Sequence, residues 1–406
     1  MHYIFHDRGE RETLKPLSWT RPVADLRVGV TTLREKWSLR SPGSTFSYHS
    51  AAYLAGSFNL IQPEGDHVRH VRGCLVATDA LVDAVASLRP GQQLVDAQGE
   101  WLASHGADAT ENVVFADLAL LMRRPFDLFS ANAEVLEADF DLLTAGRSSA
   151  AISGTNTLIG DRIFAEEGAL VEASVLNSRT GAIYLAAGSE IMEGSLVRGA
   201  LALGEGSQLK LGSKIYGATT IGPGSKVGGE VNNAVLWGNS NKGHDGFLGN
   251  AVLGEWCNLG ADTNNSNLKN DYSEVKLWSY PSGRFEPTGL QFCGLVMGDH
   301  SKAGINTMFN TGTVVGVASN VFGAGFPRNF IPDFSWGGPQ GMTEYRLDKA
   351  LATAERVLAR RIGRRGRTGH HAEGIGAPGL DEAGGFENFF GGQLIGSADG
   401  VVSTVA

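Results

Sequence analysis

A histidine lies in a short polar, glycine-rich segment in the second half of the 406-residue chain. The segment reads Asn241-Lys242-Gly243-His244-Asp245-Gly246-Phe247. An imidazole titrates near neutral pH, so it can act as a base without strong tuning of its pKa. The glycines let a substrate approach the backbone. His244 is therefore a candidate general base. The alternative is a histidine that only caps the local chain through hydrogen bonds.

The elements that must position this histidine repeat every six residues. The repeat contains the aliphatic residues Leu185, Ile191, Val197, Leu203, Leu209, Ile215, Ile221 and Val227, and most have a small or polar residue four positions later. A period of six is typical of the hexapeptide β-helix, in which three short sides form each turn and turns stack at about 4.8 Å. We expect the aliphatic residues to form an inner column.

Two interruptions divide this pattern. The phase returns at Phe247, Leu253 and Leu259, and again from Met297 to Val321. Residues 232–246 shift the phase slightly. Residues 264–293 are too polar and aromatic for a coil, so they are predicted to form an outward loop. Long loops on a rigid scaffold often carry function.

Composition narrows the function classes. The net charge of −9 argues against a general nucleic-acid binder. The three cysteines have no motif spacing, which favours a reducing compartment. The sequence shows neither a signal peptide nor an apolar run near the ~20 residues that span a bilayer. We expect a cytoplasmic protein without membrane partners.

Residues 1–150 lack the hexad and are predicted to form an α/β domain. Met1–Phe5 and Cys74–Ala77 are predicted strands, and Val30–Lys36 and Asp79–Leu88 are predicted helices. Residues Asp127–Thr144 are predicted to form a longer connecting helix. The β-helix would follow over residues 151–340.

One segment of this domain, Leu14-Lys15-Pro16-Leu17-Ser18-Trp19-Thr20-Arg21-Pro22, resembles the signature of sugar-phosphate nucleotidyltransferases. In that family a glycine-rich turn holds the nucleotide phosphates. Here Asp7-Arg8-Gly9-Glu10-Arg11 replaces the turn. The resemblance implies either a degenerate domain that keeps the fold and sugar-nucleotide binding, or an altered activity that would use Mg²⁺. The polar residues to test for nucleotide binding are Arg11, Arg21, Asp25 and Arg27.

From Gly229 to Thr263 the chain resembles the acetyltransferase half of the bifunctional N-acetylglucosamine-1-phosphate uridyltransferase/glucosamine-1-phosphate acetyltransferase family. That family joins a nucleotidyltransferase-like α/β domain, a connecting helix and a left-handed parallel β-helix. The resemblance implies this fold for the chain, acetyl-CoA or another acyl-CoA as co-substrate, and His244 as the catalytic base. It implies no metal in the acyltransfer site.

The resemblance also implies further site residues. Those implied at the acceptor sugar are Asn232, Lys242, Phe247, Asn258 and Asn267, and those at the acyl donor are Ala261, Asn267, Lys276 and Gly323. Asn232 and Phe247 replace a family Lys and Tyr that bind a sugar phosphate. The acceptor is thus expected to be another amino-sugar phosphate or a nucleotide sugar, with Lys242, Lys269 or Lys276 supplying a substitute charge. For the asparagines, a ladder between neighbouring turns is the structural alternative.

Two other function classes stay open. Hexapeptide carbonic anhydrases bind zinc through three histidines, but residues 151–340 contain only His244 and His300. A non-catalytic sensor of sugar nucleotide or acyl-CoA is the other class. By analogy with related acyltransferases, which serve cell-envelope biosynthesis, we expect a homotrimer in which residues 264–293 reach a neighbouring subunit.

The C-terminal part is predicted to close the coil. Phe330, Phe334 and Trp336 are expected to plug its open end. A C-terminal helix is predicted over residues 341–362, with its amphipathic pattern beginning at Thr343. Residues 363–406 are rich in glycine and arginine and are predicted to form a flexible tail.

Overall fold

The computed structural model describes residues 1–63 and 65–365, with side chains described through Arg360. The N-terminal part contains a six-stranded mixed sheet flanked by the helices Leu33–Arg40 and Asp79–Ala86. In spatial order the strands are Thr45–His49, His2–His6, Val68–Arg72, Trp101–Ser104, Gln92–Val95 and Glu111–Val114. The first three strands are parallel. The predicted α/β architecture is therefore confirmed.

Two local predictions in this part were wrong. Cys74–Ala77 is buried but forms no strand, and the third parallel strand is Val68–Arg72 instead. Its alternating polar residues concealed it, because the guanidinium of Arg69 folds inward and donates hydrogen bonds to the carbonyl oxygens at the end of the helix Asp79–Ala86. The helix predicted over Val30–Lys36 begins at Leu33 and ends at Arg40. Thr32 caps it by accepting a 3.2 Å hydrogen bond from the Glu35 amide.

The rest of the chain winds into a three-sided parallel β-helix, as predicted. The first face contains Ile163–Ala165, Ile183–Leu185, Leu201–Leu203, Thr219–Ile221, the second halves of Glu230–Leu236 and Phe247–Leu253, Leu295–Met297, Thr313–Val315 and Phe330–Ile331. The second face contains Leu170–Val171, Glu190–Ile191, Gln208–Leu209, Lys226–Val227, Asn241–Lys242, Asn258–Leu259, Lys302–Ala303, Asn320–Val321 and Ser335–Gly338. The third face contains Thr157–Ile159, Val175–Asn177, Leu196–Arg198, Lys214–Tyr216, the first halves of Glu230–Leu236 and Phe247–Leu253, Asn264–Asn265 and Met308–Phe309.

The hexad residues point inward as expected. From Leu185 to Val227 every predicted aliphatic position is at most 2% exposed. The small polar residues between them are also buried, and the hydroxyls of Ser195, Ser207 and Ser213 bond to corner carbonyls, as Ser195 Oγ does to the Met192 oxygen at 2.8 Å. Stacked aliphatic side chains and satisfied corners together stabilise the coil.

The prediction for Phe247 was wrong. Leu248 takes the inward position, level with Val231, and Phe247 points outward, level with Glu230. The coil after Val231 returns in 17 positions, whereas the one from Val197 to Ile215 takes 18. A shorter corner therefore moves the phase of the repeat by one residue, so that the side chain predicted to point inward points outward and its neighbour takes the inward position.

The N-terminal part packs along the first face and shares a core with it. Leu14, Leu17, Val28 and Cys74 belong to one buried cluster with Trp237 and other first-face residues, which are Val235, Val252, Val296 and Val314. The connecting helix consists of two pieces, Asp127–Ser130 and Asn132–Thr144. Phe140, in the second piece, packs against the first coils.

The loop of residues 264–293 does not project outward from the chain. It contains an antiparallel hairpin of Lys276–Ser279 and Arg284–Pro287. Val275, Leu277 and Cys293 are buried in the cluster shared with the N-terminal part. Because its apolar residues find partners in the same chain, the loop folds back. Its contact with a neighbouring subunit stays a prediction.

An antiparallel strand, Gly341–Glu344, pairs with Ser335–Gly338 and covers the end of the second face. The C-terminal helix is present but begins at Leu347 and is described to Arg365. Phe334 packs beside Ala318 and Ala350, which agrees with its predicted place at the end of the coil. Trp336 is 40% exposed. The helix includes residues 363–365 of the predicted tail, and residues 366–406 of that tail lie outside the described residues. Within the described part of the chain, no helix has the length and apolarity to cross a membrane.

Candidate functional site

His244 lies at the corner where the second face turns into the third. Strand register fixes its neighbours: Lys242 is level with Val227, Asn258 with Asn241, and Ala303 with Leu259 and Val321. The inward residues of successive coils are Val227, Lys242, Leu259, Ala303 and Val321. The corner is formed by the residues two positions after them, which are in order Gly229, His244, Ala261, Ile305 and Gly323. The structure thus aligns three predicted residues, His244, Ala261 and Gly323. At ~4.8 Å per coil they span roughly 14 Å.

A ridge of glycines runs beside this corner and consists of Gly228, Gly243, Gly260 and Gly304. A Cβ at Gly228 would lie 2.8 Å from the Gly243 oxygen, and one at Gly260 would lie 2.6 Å from the Gly304 carbonyl carbon. Neighbouring coils therefore leave no space for a side chain. The ridge presents bare backbone next to the imidazole.

The side chain of His244 is exposed. Among the described residues, none forms a hydrogen bond with its ring. The carbonyl oxygen of His244 accepts a hydrogen bond from Lys242 Nζ at 2.6 Å. The neighbouring turn is joined by a 3.0 Å bond from the Asp262 amide to the Asp245 oxygen. An accessible ring is what a general base requires.

Lys242 does not occupy the position expected of a phosphate ligand. Its side chain is 2% exposed and fills an inward position of the second face. Burial lowers the pKa of its ammonium to about 8, although the carboxylates of Asp245 and Asp262 act in the opposite direction. As placed, Lys242 cannot contact a phosphate in solvent.

Two predicted acceptor residues lie on the third face beside this corner. Phe247 and Asn232 are half-buried and point outward, and Asn232 is level with Gly249 and Tyr216. The sequence analysis missed an exposed cation on the same face, Lys214, two coils below Phe247. Its outward hexad position was the signal that could have identified it.

The asparagines form ladders between coils. Asn241 Nδ2 donates to Asn258 Oδ1 at 3.0 Å, and Asn267 Nδ2 donates to Asn250 Oδ1 at 2.8 Å. Two further asparagines bridge the break in the third face: the Phe247 amide donates to Asn264 Oδ1 at 2.7 Å, and the Gly249 amide donates to Asn265 Oδ1 at 2.8 Å. The structure thus supports the ladder for Asn258 and Asn267 and leaves their substrate contacts a prediction.

Lys276 lies away from His244 in this chain. It is exposed on the hairpin, and its carbonyl oxygen adjoins Gly312, at the corner between the third and first faces. Within one chain, the structure does not bring Lys276 to the corner of His244.

Arg21 connects the two parts of the molecule. Its guanidinium lies 2.5 Å from Asp299 and 3.4 Å from Glu255, both on the β-helix, and stacks over Trp237. Burial by itself would lower the pKa of Arg21, but the two carboxylates outweigh burial and raise it. Thr20 adds a 2.6 Å bond to Asp299. This arginine is used for assembly.

The other residues predicted to bind a nucleotide also form ion pairs or hydrogen bonds with groups of the protein itself. Arg11 pairs with Asp7 at 3.0 Å and donates to two backbone oxygens. Asp25 pairs with Arg34 at 2.9 Å, and Arg27 donates to the Val30 oxygen at 2.5 Å. Each of the four residues thus has partners of its own inside the protein, and their role in nucleotide binding stays a prediction.

A histidine cluster, missed by the sequence analysis, lies at the carboxyl ends of the parallel strands. His6 is 2.9 Å from His70 and 3.0 Å from His49 between ring nitrogens. Burial, followed by the charges of His70 and His49, lowers the pKa of His6 to about 4. In open α/β sheets this edge is the usual ligand crevice. Among the described residues, no group of three His, Cys, Asp or Glu side chains is arranged to hold a metal ion.

Comparison with known proteins gives matches to separate parts of the chain. Residues 3–148 match the family model described as sugar nucleotidyl transferase. The bifunctional protein GlmU of Methanocaldococcus jannaschii is 34% identical over 87 residues, which are 21% of each chain. The bifunctional sugar-1-phosphate nucleotidylyltransferase/acetyltransferase of Sulfurisphaera tokodaii is 30% identical over 93 residues, or 23% of each chain. The matched region thus spans about a fifth of these relatives.

Solved structures also match the chain. LpxA, a UDP-N-acetylglucosamine acyltransferase from Bacteroides fragilis, covers 59% of this chain and 95% of its own length, at 13% identity and a TM-score of 0.28. An Arabidopsis UDP-N-acetylglucosamine acyltransferase covers 56% and 86%, at 14% identity and a TM-score of 0.27. By name, these relatives and structural neighbours are transferases.

Proposed function

We propose that this chain is an acyl-CoA-dependent N-acyltransferase that acts on an amino-sugar phosphate or a nucleotide sugar, with His244 as the general base. The observation that carries the proposal is the exposed imidazole beside a ridge of bare glycine backbone. An extended thioester donor can lie along such a ridge, because the glycines carry no side chain. Ile305, which is 70% exposed, lies on the corner between Ala261 and Gly323 and would flank the donor. Ala261 and Gly323, further along the same corner, are the donor contacts.

The reaction follows from this arrangement. The imidazole of His244 takes a proton from the acceptor ammonium, and the free amine attacks the thioester carbonyl carbon. A C–N bond forms and the C–S bond breaks. The nitrogen loses two protons in all: one passes through the imidazole to the thiolate of CoA, which leaves as the thiol, and the other is released to solvent. The chemistry needs no metal ion as electrophile.

The third face is the proposed acceptor surface. Phe247 offers a ring against which a sugar can pack, and Asn232 offers an amide. Lys214, with 56% of its side chain exposed, supplies the cation for a phosphate, although Glu230 lies 3.9 Å away and shares its charge. Lys242 acts from inside the coil instead.

The decisive experiment measures CoA thiol release from acetyl-CoA with a panel of amino-sugar phosphates and UDP-, dTDP- and GDP-amino sugars. His244→Ala is expected to lower kcat by about 10²- to 10⁴-fold without changing the fold. His67→Ala, which removes an exposed histidine from the N-terminal part, is the matched control. Full turnover by His244→Ala would reject the assigned role. Tight binding of sugar nucleotide without turnover by the wild type would favour the sensor.

A second candidate activity is nucleotidyl transfer by the N-terminal part, favoured by the family match over residues 3–148. The commitment of Arg11 and Arg21 to internal partners opposes it. Pyrophosphate release from nucleoside triphosphates, with Mg²⁺ and sugar 1-phosphates, tests this activity directly. The homotrimer stays part of the proposal, and sedimentation of an active monomer would reject it.

A further inference from the structure

The inner column of the second face contains a lysine among apolar residues. Its members are Val171, Ile191, Leu209, Val227, Lys242, Leu259, Ala303 and Val321. The hexad predicts an aliphatic side chain at the position of Lys242, because that position faces the apolar interior. An ammonium-bearing side chain here is a departure that packing does not explain.

From this inward position the side chain reaches the corner that carries the imidazole. Lys242 Nζ donates a 2.6 Å hydrogen bond to the carbonyl oxygen of His244, two residues along the chain. Gly243 and Gly246 flank the turn, and the latter has a φ of 114°. Glycines restrict the backbone little, so the lysine bond is the restraint that the turn receives from within.

We propose that Lys242 is a positioning residue that fixes the His244 turn from inside the coil. This inference rests on the proposed function of His244. Lys242 does not contact substrate, since it is 2% exposed. It acts through the His244 backbone, holding the imidazole at the angle and depth that proton transfer requires.

The energetics separate this role from a structural one. Burying an ammonium among aliphatic side chains is unfavourable, and a well-packed apolar residue of the same size is often more stabilising. The charged groups that face the lysine are the carboxylates of Asp245 and Asp262, which favour its charged form, yet burial still lowers its pKa to about 8. The lysine therefore weakens the column while it supports the turn.

Lys242→Met tests this directly, since methionine has a similar length but no donor and no charge. The expected result is a kcat lower by about 10- to 100-fold with the KM for acetyl-CoA little changed. Thermal stability should be equal or higher. The wild-type kcat should also decline as the pH rises past about 8, when the ammonium loses its proton, and the variant should lack that decline.

Lys302→Met is a matched control. Lys302 Nζ donates a 2.8 Å bond to the carbonyl oxygen of His300, so the substitution removes the same kind of contact at the corner between the first and second faces. Its kcat should stay close to that of the wild type. Equal losses in both variants would overturn the proposal, as would an unchanged kcat in Lys242→Met or a loss that merely follows unfolding.

A second readout distinguishes this proposal from the proposed function. The ring signals of His244, assigned by comparison with His244→Ala in an NMR spectrum, should shift or broaden in Lys242→Met. If the wild type transfers no acyl group, the proposed function fails, but the ring signals still report on the turn. Unchanged His244 signals would overturn the positioning role.

Discussion

Two regions of this molecule contain the polar residues that the sequence marked for chemistry, and they differ in what those residues contact. At the corner of His244, the imidazole is exposed beside bare glycine backbone. In the segment around Arg21, the guanidinium is 14% exposed and pairs with Asp299 and Glu255 of the other part of the molecule. The first region is open to a substrate, whereas the second joins two parts of the protein.

The difference shows that residue type does not separate a site from an interface. Arginine suits phosphate recognition and buried ion pairs equally, because its planar donors match carboxylates as well as phosphates. A carboxylate already supplied by the β-helix takes the place that a phosphate would need. The comparison therefore predicts a stability effect at Arg21 and a catalytic effect at His244.

Arg21→Met should give the largest effect on stability. Removing one partner of a buried ion pair leaves Asp299 unpaired, and the free energy of unfolding should fall by about 3–5 kcal/mol. Arg162→Met is the control. Arg162 also forms an ion pair between the two parts of the molecule, with Glu137 of the connecting helix, but its side chain is 40% exposed. Its loss should lower the free energy of unfolding by about 1 kcal/mol or less. Urea unfolding measures both. Lost nucleotide turnover with unchanged stability in Arg21→Met would break the comparison.

Asp333→Asn should give a smaller, pH-dependent effect. Burial raises the pKa of this carboxyl to about 6, and its Oδ1 accepts a 2.7 Å bond from the Val317 amide. The folded state thus holds the proton more tightly than the unfolded state, so this group's contribution to stability is complete below pH 3.8 and is lost as the pH rises through 6. A rise of about two pKa units corresponds to a loss of about 3 kcal/mol.

Asparagine keeps the acceptor but does not titrate, so the decline should be absent in Asp333→Asn. Thermal unfolding of wild type and variant at a series of pH values between about 4 and 7 measures this difference in pH dependence. Parallel pH dependence in the two proteins would show that the carboxyl is not desolvated between the last coil and the hairpin.

Asn258→Ala should have the smallest effect and sharpens the comparison at the site itself. If Asn258 serves only the ladder with Asn241, the free energy of unfolding falls by about 1 kcal/mol and acyl transfer is unaffected. If it also binds the acceptor sugar, the KM for the acceptor rises while the KM for acetyl-CoA stays the same. Steady-state kinetics with both substrates varied separates these outcomes.

Much of the fold could be predicted because the hexad acts locally. Leu203 and Leu209 face inward for a reason contained in their own spacing, namely that six residues form one side of the coil. Phe247 could not be placed this way, since its phase depends on a corner one residue shorter than the repeat requires. Val68–Arg72 was missed because its buried Arg69 is satisfied by carbonyl oxygens distant in sequence.

The candidate site divides in the same manner. His244, Ala261 and Gly323 were chosen from the family resemblance, and the strand register aligns them at one corner in spite of coils of 17 positions and an inserted loop. The inward position of Lys242, the return of the loop to its own chain and the partners of Arg21 depend on residues far away along the sequence.

The sequence by itself determined the repeat and the three-sided coil, because both depend on spacing within a few residues. Tertiary structure alone decided which polar groups meet solvent and which meet one another. The reason is physical: a charged side chain takes the best partner within reach, and only the folded chain defines what is within reach.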